Sequence, residues 1–223
     1  NSERRIRIYN NEKGFLLEGN ANNIKITGCV FNPDGYTSCT GHFVTASQRN
    51  NVWIYDNEIN STLGGQNISC IYVGHPSILN ASDYIYISDN AFNVRSPSYS
   101  GVDQQAIDCK MVPGATNIHI FRNTFVSSNN MGPGLIEVAG SINFYDNYVD
   151  LRNATGNGGY LFYFWYESGS DPSAYVNCYR NTIIGAKTGL LYPIGGISWS
   201  NMKVRLYNNI FKECQGVFSK FSG

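Results

Sequence analysis

"NVWIYDNEIN", residues 51–60, places apolar Val52 and Ile54 two apart, bends at Asp56–Asn57 and returns to an apolar side chain at Ile59. Alternation with period two marks a strand with one buried face, and Asp–Asn is turn chemistry, so the stretch reads as strand, bend, strand. The outline returns as NIKITGCVFN (23–32), YIYISDNAFN (84–93), NIHIFRNTFV (117–126), SINFYDNYVD (141–150), YVNCYRNTII (175–184) and KVRLYNNIFK (203–212). Aligned, these put Cys29, Asn57, Asn90, Asn123, Asn147, Asn181 and Asn209 at one position, at intervals of 28, 33, 33, 24, 34 and 28 residues. A constant core with loops of variable length is the mark of a repeat architecture.

Ahead of each outline lies a second short apolar strand, as in GHFVTA (41–46), SCIYVG (69–74), QAIDCK (105–110), GLIEVA (134–139), GYLFYF (159–164) and GLLYPI (189–194). No such unit can bury its apolar face alone, but stacked coils share a continuous core. The pairs Ile24/Ile26, Val52/Ile54, Ile85/Ile87, Ile118/Ile120, Ile142/Phe144, Val176/Cys178 and Val204/Leu206 are expected to point inward. Beyond the bend, Phe31, Ile59, Phe92, Phe125, Val149, Ile183 and Phe211 turn in again. The aligned Asn suits the bend, because Asn tolerates a left-handed backbone and its amide can bond to the Asn one coil away. The expectation is an all-β, single-stranded, right-handed parallel β-helix of about seven coils, one domain over residues 1–223.

The repeat resembles that of the pectate-lyase-like superfamily of right-handed parallel β-helices and of bacteriophage tailspikes, from about Ile24 to Phe211. That resemblance implies the fold; the fold hosts lyases, hydrolases, epimerases and adhesins alike, so activity must come from the site. Tailspikes of this type are trimers, and the resemblance implies a homotrimer on a virion surface or in the extracellular space. The ends read as those of a fragment of a longer chain, or as ends covered by an oligomer, since terminal repeats need polar caps.

Composition agrees with strands: 28 Asn, 23 Gly and 16 Tyr disfavour long helices. Sixteen basic against sixteen acidic residues leave no basic footprint for nucleic acid, and no apolar run is long enough to insert in a membrane. The six Cys form no CxxC pair and have no His at zinc-finger spacing, so neither metal nor cofactor is expected. Cys109 and Cys178 read as buried thiols, and a Cys29–Cys39 bridge is left open. Of four Asn-x-Ser/Thr sequons, at Asn60, Asn67, Asn80 and Asn153, none carries weight in so Asn-rich a chain.

Residues between the inward pairs face out. One outward row runs Lys25, Trp53, Tyr86, His119, Asn143, Asn177, Arg205; the next runs Thr27, Tyr55, Ser88, Phe121, Tyr145, Tyr179, Tyr207. Row neighbours lie about 4.8 Å apart. Sugars offer apolar C–H faces ringed by hydroxyls, so Trp53, Tyr55, Tyr86, His119, Phe121, Tyr145 and Tyr179 are candidate contacts for a polysaccharide or oligosaccharide. A loop or sister chains of a trimer could cover the same face. One position before the Asn, the charges of Asp89, Arg122, Asp146 and Arg180 alternate and read as a structural ladder.

On the preceding strand, Asp108 and Glu137 align on adjacent coils, both facing outward, with Tyr72 on the coil before. Two carboxyls at such spacing are what glycoside hydrolysis requires, one as acid and one as base or nucleophile. Like charges side by side are expected to raise the pKa of one of them. A lyase is disfavoured: Trp53–Ile54 matches the first half of the pectate-lyase signature W-I-D-H, but Tyr55 and Asp56 replace its Asp and His. The outward rows therefore point to a carbohydrate-directed β-helix that binds polysaccharide; the tailspike resemblance implies bacterial surface polysaccharide as the target, with depolymerisation, by hydrolysis rather than elimination, left open on the Asp108–Glu137 pair. The alternatives are a structural or adhesive module and a secreted lyase or hydrolase.

Overall fold

The computed structural model describes residues 7–8, 15–17, 22–31, 42–46, 50–62, 68–74, 83–95, 104–109, 117–129, 134–138, 140–154, 159–164, 175–186, 189–193 and 203–216. All strands among them fall into three sheets, and every pairing is parallel. Sheet I stacks Phe15–Leu17, Val44–Ala46, Ile68–Val73, Gln104–Cys109, Ile136–Val138, Tyr160–Phe164 and Gly189–Pro193. Sheet II stacks Ile24–Thr27, Asn50–Tyr55, Asp83–Ser88, Ile118–Phe121, Ile142–Tyr145, Tyr175–Tyr179 and Lys203–Tyr207. Sheet III stacks Arg7–Ile8, Val30–Phe31, Glu58–Thr62, Ala91–Arg95, Thr124–Asn129, Tyr148–Ala154, Thr182–Ile184 and Ile210–Lys212. The chain visits I, II and III in turn, and each strand pairs with its counterpart one coil on. That is a right-handed parallel β-helix, the hand that right-twisted parallel strands adopt.

The expected inward pairs are in the core. Val52, Ile54, Ile85, Ile87, Ile118, Ile120, Ile142, Phe144 and Cys178 are fully buried, while Val204 and Leu206 are partly so. From sheet III, Phe31, Ile59, Phe92, Phe125, Val149 and Ile183 line up beside them, with Phe92 and Phe125 stacked at 4.7 Å. Only Phe211 of that row is exposed. Each buried Phe or Ile contributes about 1.5–3 kcal/mol of transfer free energy, and alternation delivers them from all three sheets to one interior.

The bend between sheets II and III has two residues in every coil, which is why the ten-residue outline is constant while the other corners vary. The first residue of the bend carries the left-handed backbone: φ is 54° at Asp56, 56° at Asp89, 52° at Arg122, 57° at Asp146, 55° at Arg180 and 56° at Asn208. The expectation that the aligned Asn takes this conformation is therefore corrected by one position. The Asn is needed for its amide, which the bend turns inward. Asn57, Asn90, Asn123, Asn147 and Asn181 are buried, and each donates Nδ2 to the Oδ1 of the next at 2.9, 3.0, 3.1, 3.1 and 2.9 Å. Each also donates its backbone N–H to that same oxygen and its second Nδ2 hydrogen to a carbonyl one coil back, as Asn57 does to Ile26 at 3.0 Å. An amide with its donors and acceptor engaged is one of the few polar groups that a dry core tolerates. Cys29 begins the row with only its N–H, which donates to Asn57 Oδ1 at 3.0 Å.

Cys29, Cys109 and Cys178 are free thiols and buried, as the reading of Cys109 and Cys178 expected, and Cys70 is buried with them. Burial pushes the Cys178 thiol up to about 12. Cys29 being a free thiol, the Cys29–Cys39 bridge that the sequence left open is not formed; Cys39 itself lies outside the described residues, as do Asn67 and Asn80.

Candidate functional site

The two outward rows of sheet II occupy adjacent registers, as alternation requires: Trp53 pairs with Tyr86, Tyr86 with His119, Phe121 with Tyr145 and Tyr145 with Tyr179. Their rings do not form one even surface. In the first row, Lys25 lies over Trp53 at 5.9 Å, Trp53 stacks on Tyr86 at 5.5 Å and Tyr86 on His119 at 5.3 Å. There the ring stack ends, because Asn143 and Asn177 follow, and Asn177 Nδ2 donates to Asn143 Oδ1 at 2.9 Å. In the second row Tyr55 meets Ser88, which interrupts the rings. The stack resumes on later coils as Phe121, Tyr145, Tyr179 and Tyr207, each 4.9 Å from the next with planes within 4–6°. His119 and Tyr145 join the two stacks edge to face at 6.0 Å. The aromatic track thus crosses the sheet diagonally, from Trp53 to Tyr207.

Parallel rings in contact at about 3.5–4.0 Å, with centroids at 4.9 Å, are slipped sideways by about 3 Å. They overlap as shingles do, so each shows solvent a strip of face and a hydroxyl-bearing edge. Tyr145, Tyr179 and Tyr207 therefore set three phenols in line at the coil repeat. Partial burial raises the pKa of Tyr145 and Tyr179, with a further push from the neighbouring phenol in each case, so both stay protonated donors at neutral pH. Burial lowers that of His119, which favours its neutral form.

The charge ladder beside this track separates into two pairs. Arg122 donates Nε and Nη2 to Asp89, each at 2.7 Å, and Arg180 binds Asp146 in the same fork. Each guanidinium also lies over a ring, Arg122 over Phe121 at 4.5 Å and Arg180 over Tyr179 at 5.1 Å. The hydrogen bond from Arg122 holds the Asp89 carboxyl below the ordinary carboxylate range. A depressed carboxylate contributes stability above its unfolded value of about 3.9 and loses it as pH falls through the folded value. Both partners are well exposed, so the pair is worth within about 1 kcal/mol. Arg122→Gln is expected to flatten the acid side of a plot of urea midpoint against pH below about pH 4. An unchanged acid slope would assign that loss to other carboxyls.

Sheet I carries the carboxyls. Asp108 pairs in register with Glu137 and, on its other side, with Tyr72; Glu137 pairs with Tyr163. Ile107, Cys109, Ile136 and Val138 point into the core, so Tyr72, Asp108 and Glu137 project from the opposite face, as the sequence indicated, and Tyr163 projects beside them. Their expected exposure is corrected: Asp108 is 4% exposed and Glu137 0%. The strands from Ile136 and Tyr160 are buried on both faces. The Cys109 thiol is pushed well up, first by its own burial and then by the negative charges of Asp108 and Glu137. His42, on which Tyr72 stacks at 4.6 Å, is tied to the backbone of Ser69, its Nδ1 lying 3.1 Å from the Ser69 nitrogen and 3.2 Å from the Ser69 carbonyl oxygen.

The candidate residues therefore fall into two groups on different sheets. Trp53, Tyr86, His119, Phe121, Tyr145 and Tyr179 come together on sheet II with Tyr55 at the gap; Tyr72 belongs with Asp108 and Glu137 on sheet I. Sequence reasoning left Tyr207, Tyr163 and His42 out of the site, although the spacing of the repeat already aligns Tyr207 with Tyr179 and Tyr163 with Glu137. His42 gave no such signal. Among the described residues no cluster of His, Cys, Asp and Glu could hold a metal ion. No family model and no curated protein sequence matches the chain. Among solved structures it is similar to the Streptococcus pneumoniae surface protein and adhesin PfbA, with 13% identity and a TM-score of 0.46, over 88% of this chain and 66% of that one.

Proposed function

We propose that the chain is a glycan-binding β-helix of an extracellular or virion-surface protein, and that the saccharide lies along the aromatic track of sheet II. The observation that supports this is the paired ring stack itself. Ring strips, phenols and amides repeat at the coil spacing of about 4.8 Å, close to the length of one pyranose unit, so successive sugars meet equivalent groups on successive coils. C–H faces rest on the ring strips while hydroxyls reach Tyr145, Tyr179 and Tyr207 on one side and Asn143 on the other. A core needs none of these groups on its outer surface.

Binding of the chain to a bacterial-polysaccharide array tests the reading. Tyr145→Ala, at the junction of the two stacks, is expected to weaken binding about tenfold, whereas Tyr148→Ala, an exposed Tyr on sheet III, leaves it unchanged. If Tyr145→Ala binds as tightly as the parent chain, the track is not the site. Sister chains of a homotrimer are the competing occupant of this face; a trimeric mass that falls to monomer in the Tyr145→Ala variant would favour them.

Depolymerisation is a second reading, supported by the paired register of Asp108 and Glu137. Their burial weighs against access by a polymer and puts binding first. If the pair cleaves, Asp108→Asn and Glu137→Gln each abolish release of reducing ends and leave binding at sheet II intact. Unchanged release removes both from the chemistry.

A further inference from the structure

We propose that the glycan on sheet II repeats every two sugars and carries an acetamido group on alternate units, each held by one of the two ion-pair forks beside the ring stack; this rests on the glycan reading above. The rings of Phe121, Tyr145 and Tyr179 recur on every coil, 4.9 Å apart, whereas the forks recur on every second coil. Arg122 and Arg180 each reach back one coil, to Asp89 and Asp146, through the same pair of 2.7 Å hydrogen bonds. Two coils span about 9.6 Å, the length of two sugars at one sugar per coil. A polymer in step with the rings therefore meets the same fork at every second unit.

Each fork is only half used by its own pairing. A guanidinium has five N–H groups; two of them bind the carboxylate, and the other three have no partner among the described residues. The carboxylate keeps acceptor capacity of its own, and the hydrogen bond from Arg holds each one ionised by lowering its pKa. Both Arg side chains are 56% exposed. They lie over Phe121 and Tyr179, which brings them to the edge of any sugar resting on the track. Donor and acceptor thus stand side by side on a pair with no net charge. An anionic group would meet the carboxylate together with the guanidinium and gain little. A secondary amide is complementary to both: its carbonyl accepts from the guanidinium, its N–H donates to the carboxylate and its methyl group packs on the ring. The acetamido substituent of an amino sugar presents that amide at the edge of the pyranose.

The test sorts the same bacterial-polysaccharide array by the position of acetamido groups, using the full chain, its Arg122→Gln and Arg180→Gln variants, their double variant and Arg152→Gln. Members with acetamido on alternate sugars are expected to bind about tenfold more tightly than members with none. The preference should persist at 1 M salt, where an ionic one would fade. N-deacetylation of the best binder abolishes the preference, and chemical re-N-acetylation restores it. Arg122→Gln and Arg180→Gln should each cost about threefold on these members, and the double variant should remove the preference, without weakening members that lack acetamido. Arg152→Gln, whose fork to Asp150 belongs to sheet III, should change nothing. Both sheet II forks are on the surface, so the variants keep the parent far-ultraviolet circular dichroism. Members with acetamido on every third sugar engage one fork at a time, so for them only the double substitution removes the preference. Equal binding with and without acetamido, or a preference that survives the double substitution, overturns the fork assignment and leaves the glycan reading in place. Threefold losses from each single substitution on the every-third members overturn the two-sugar period. No glycan bound by any of these chains overturns both readings.

Discussion

Asn123→Ala is expected to lower the unfolding free energy by about 3–5 kcal/mol, the sum of several stranded buried polar groups at about 1–3 kcal/mol each. Its Oδ1 accepts the N–H and the Nδ2 of Asn90, both at 3.0 Å, and its Nδ2 donates to Ile87 O at 2.9 Å and Asn147 Oδ1 at 3.1 Å. Removing the amide leaves the two Asn90 donors and the Ile87 carbonyl facing a site that water does not reach. Asn147 Oδ1 keeps the Asn123 N–H at 2.9 Å and suffers less. Asn209→Ala supplies the comparison: that residue is only half-buried, so water can replace its bonds and under half the loss is expected. Urea denaturation followed by far-ultraviolet circular dichroism measures both. Equal losses at the two positions would mean that burial does not set the strength of the ladder.

Gly185→Ala should cost about 2–5 kcal/mol through two separate causes, a left-handed backbone at about 1–2 and overpacking at about 1–3. Gly185 has φ of 75°, and a Cβ there would lie 2.6 Å from both the Cα and the N of Arg152. Those are backbone atoms, which cannot swing aside as a side-chain tip can. The crowding has an identifiable origin. Between Val126 and Ser128 the register slips, so that Val126 faces Asp150 but Ser128 faces Asn153, and the strand Tyr148–Ala154 bulges by one residue. The bulge carries Arg152 to where only a hydrogen fits on the next coil. Gly28 provides the control: its φ is 65° but nothing lies within 4 Å of its added Cβ, so Gly28→Ala should show the backbone component alone. If the two substitutions destabilise equally, the contact with Arg152 is not the cause.

The repeat was legible because each of its features is a local necessity. Val52, Ile54 and Ile59 must alternate for a strand to bury one face, and a stack of coils imposes the same demand on every copy; the strand registers, the inner rows and the pairing of Asp108 with Glu137 all follow from aligning the copies. The bend was half legible. Asn at one position suggested a left-handed residue, yet the residue before it has that backbone, at Arg122 and Arg180 as much as at Asp56. The buried amide chain stabilises the bend enough to impose an unfavourable φ on whatever side chain precedes it, and that is a property of stacked coils which no single copy displays.

The candidate site divides along the same line. By itself the sequence determined which residues leave the core, because period two decides that within each strand: Trp53, Tyr86 and His119 in one row, Phe121, Tyr145, Tyr179 and Tyr207 in another, Tyr72, Asp108 and Glu137 in a third. Only the tertiary structure decided what those residues meet on the outside. It slipped the rings into two offset stacks joined at His119 and Tyr145, resolved the charge ladder into the Asp89–Arg122 and Asp146–Arg180 pairs, and buried the outward-facing Asp108 and Glu137. Alternation is a rule of the single strand, whereas cover and partnership on the outer face depend on segments far apart in the chain.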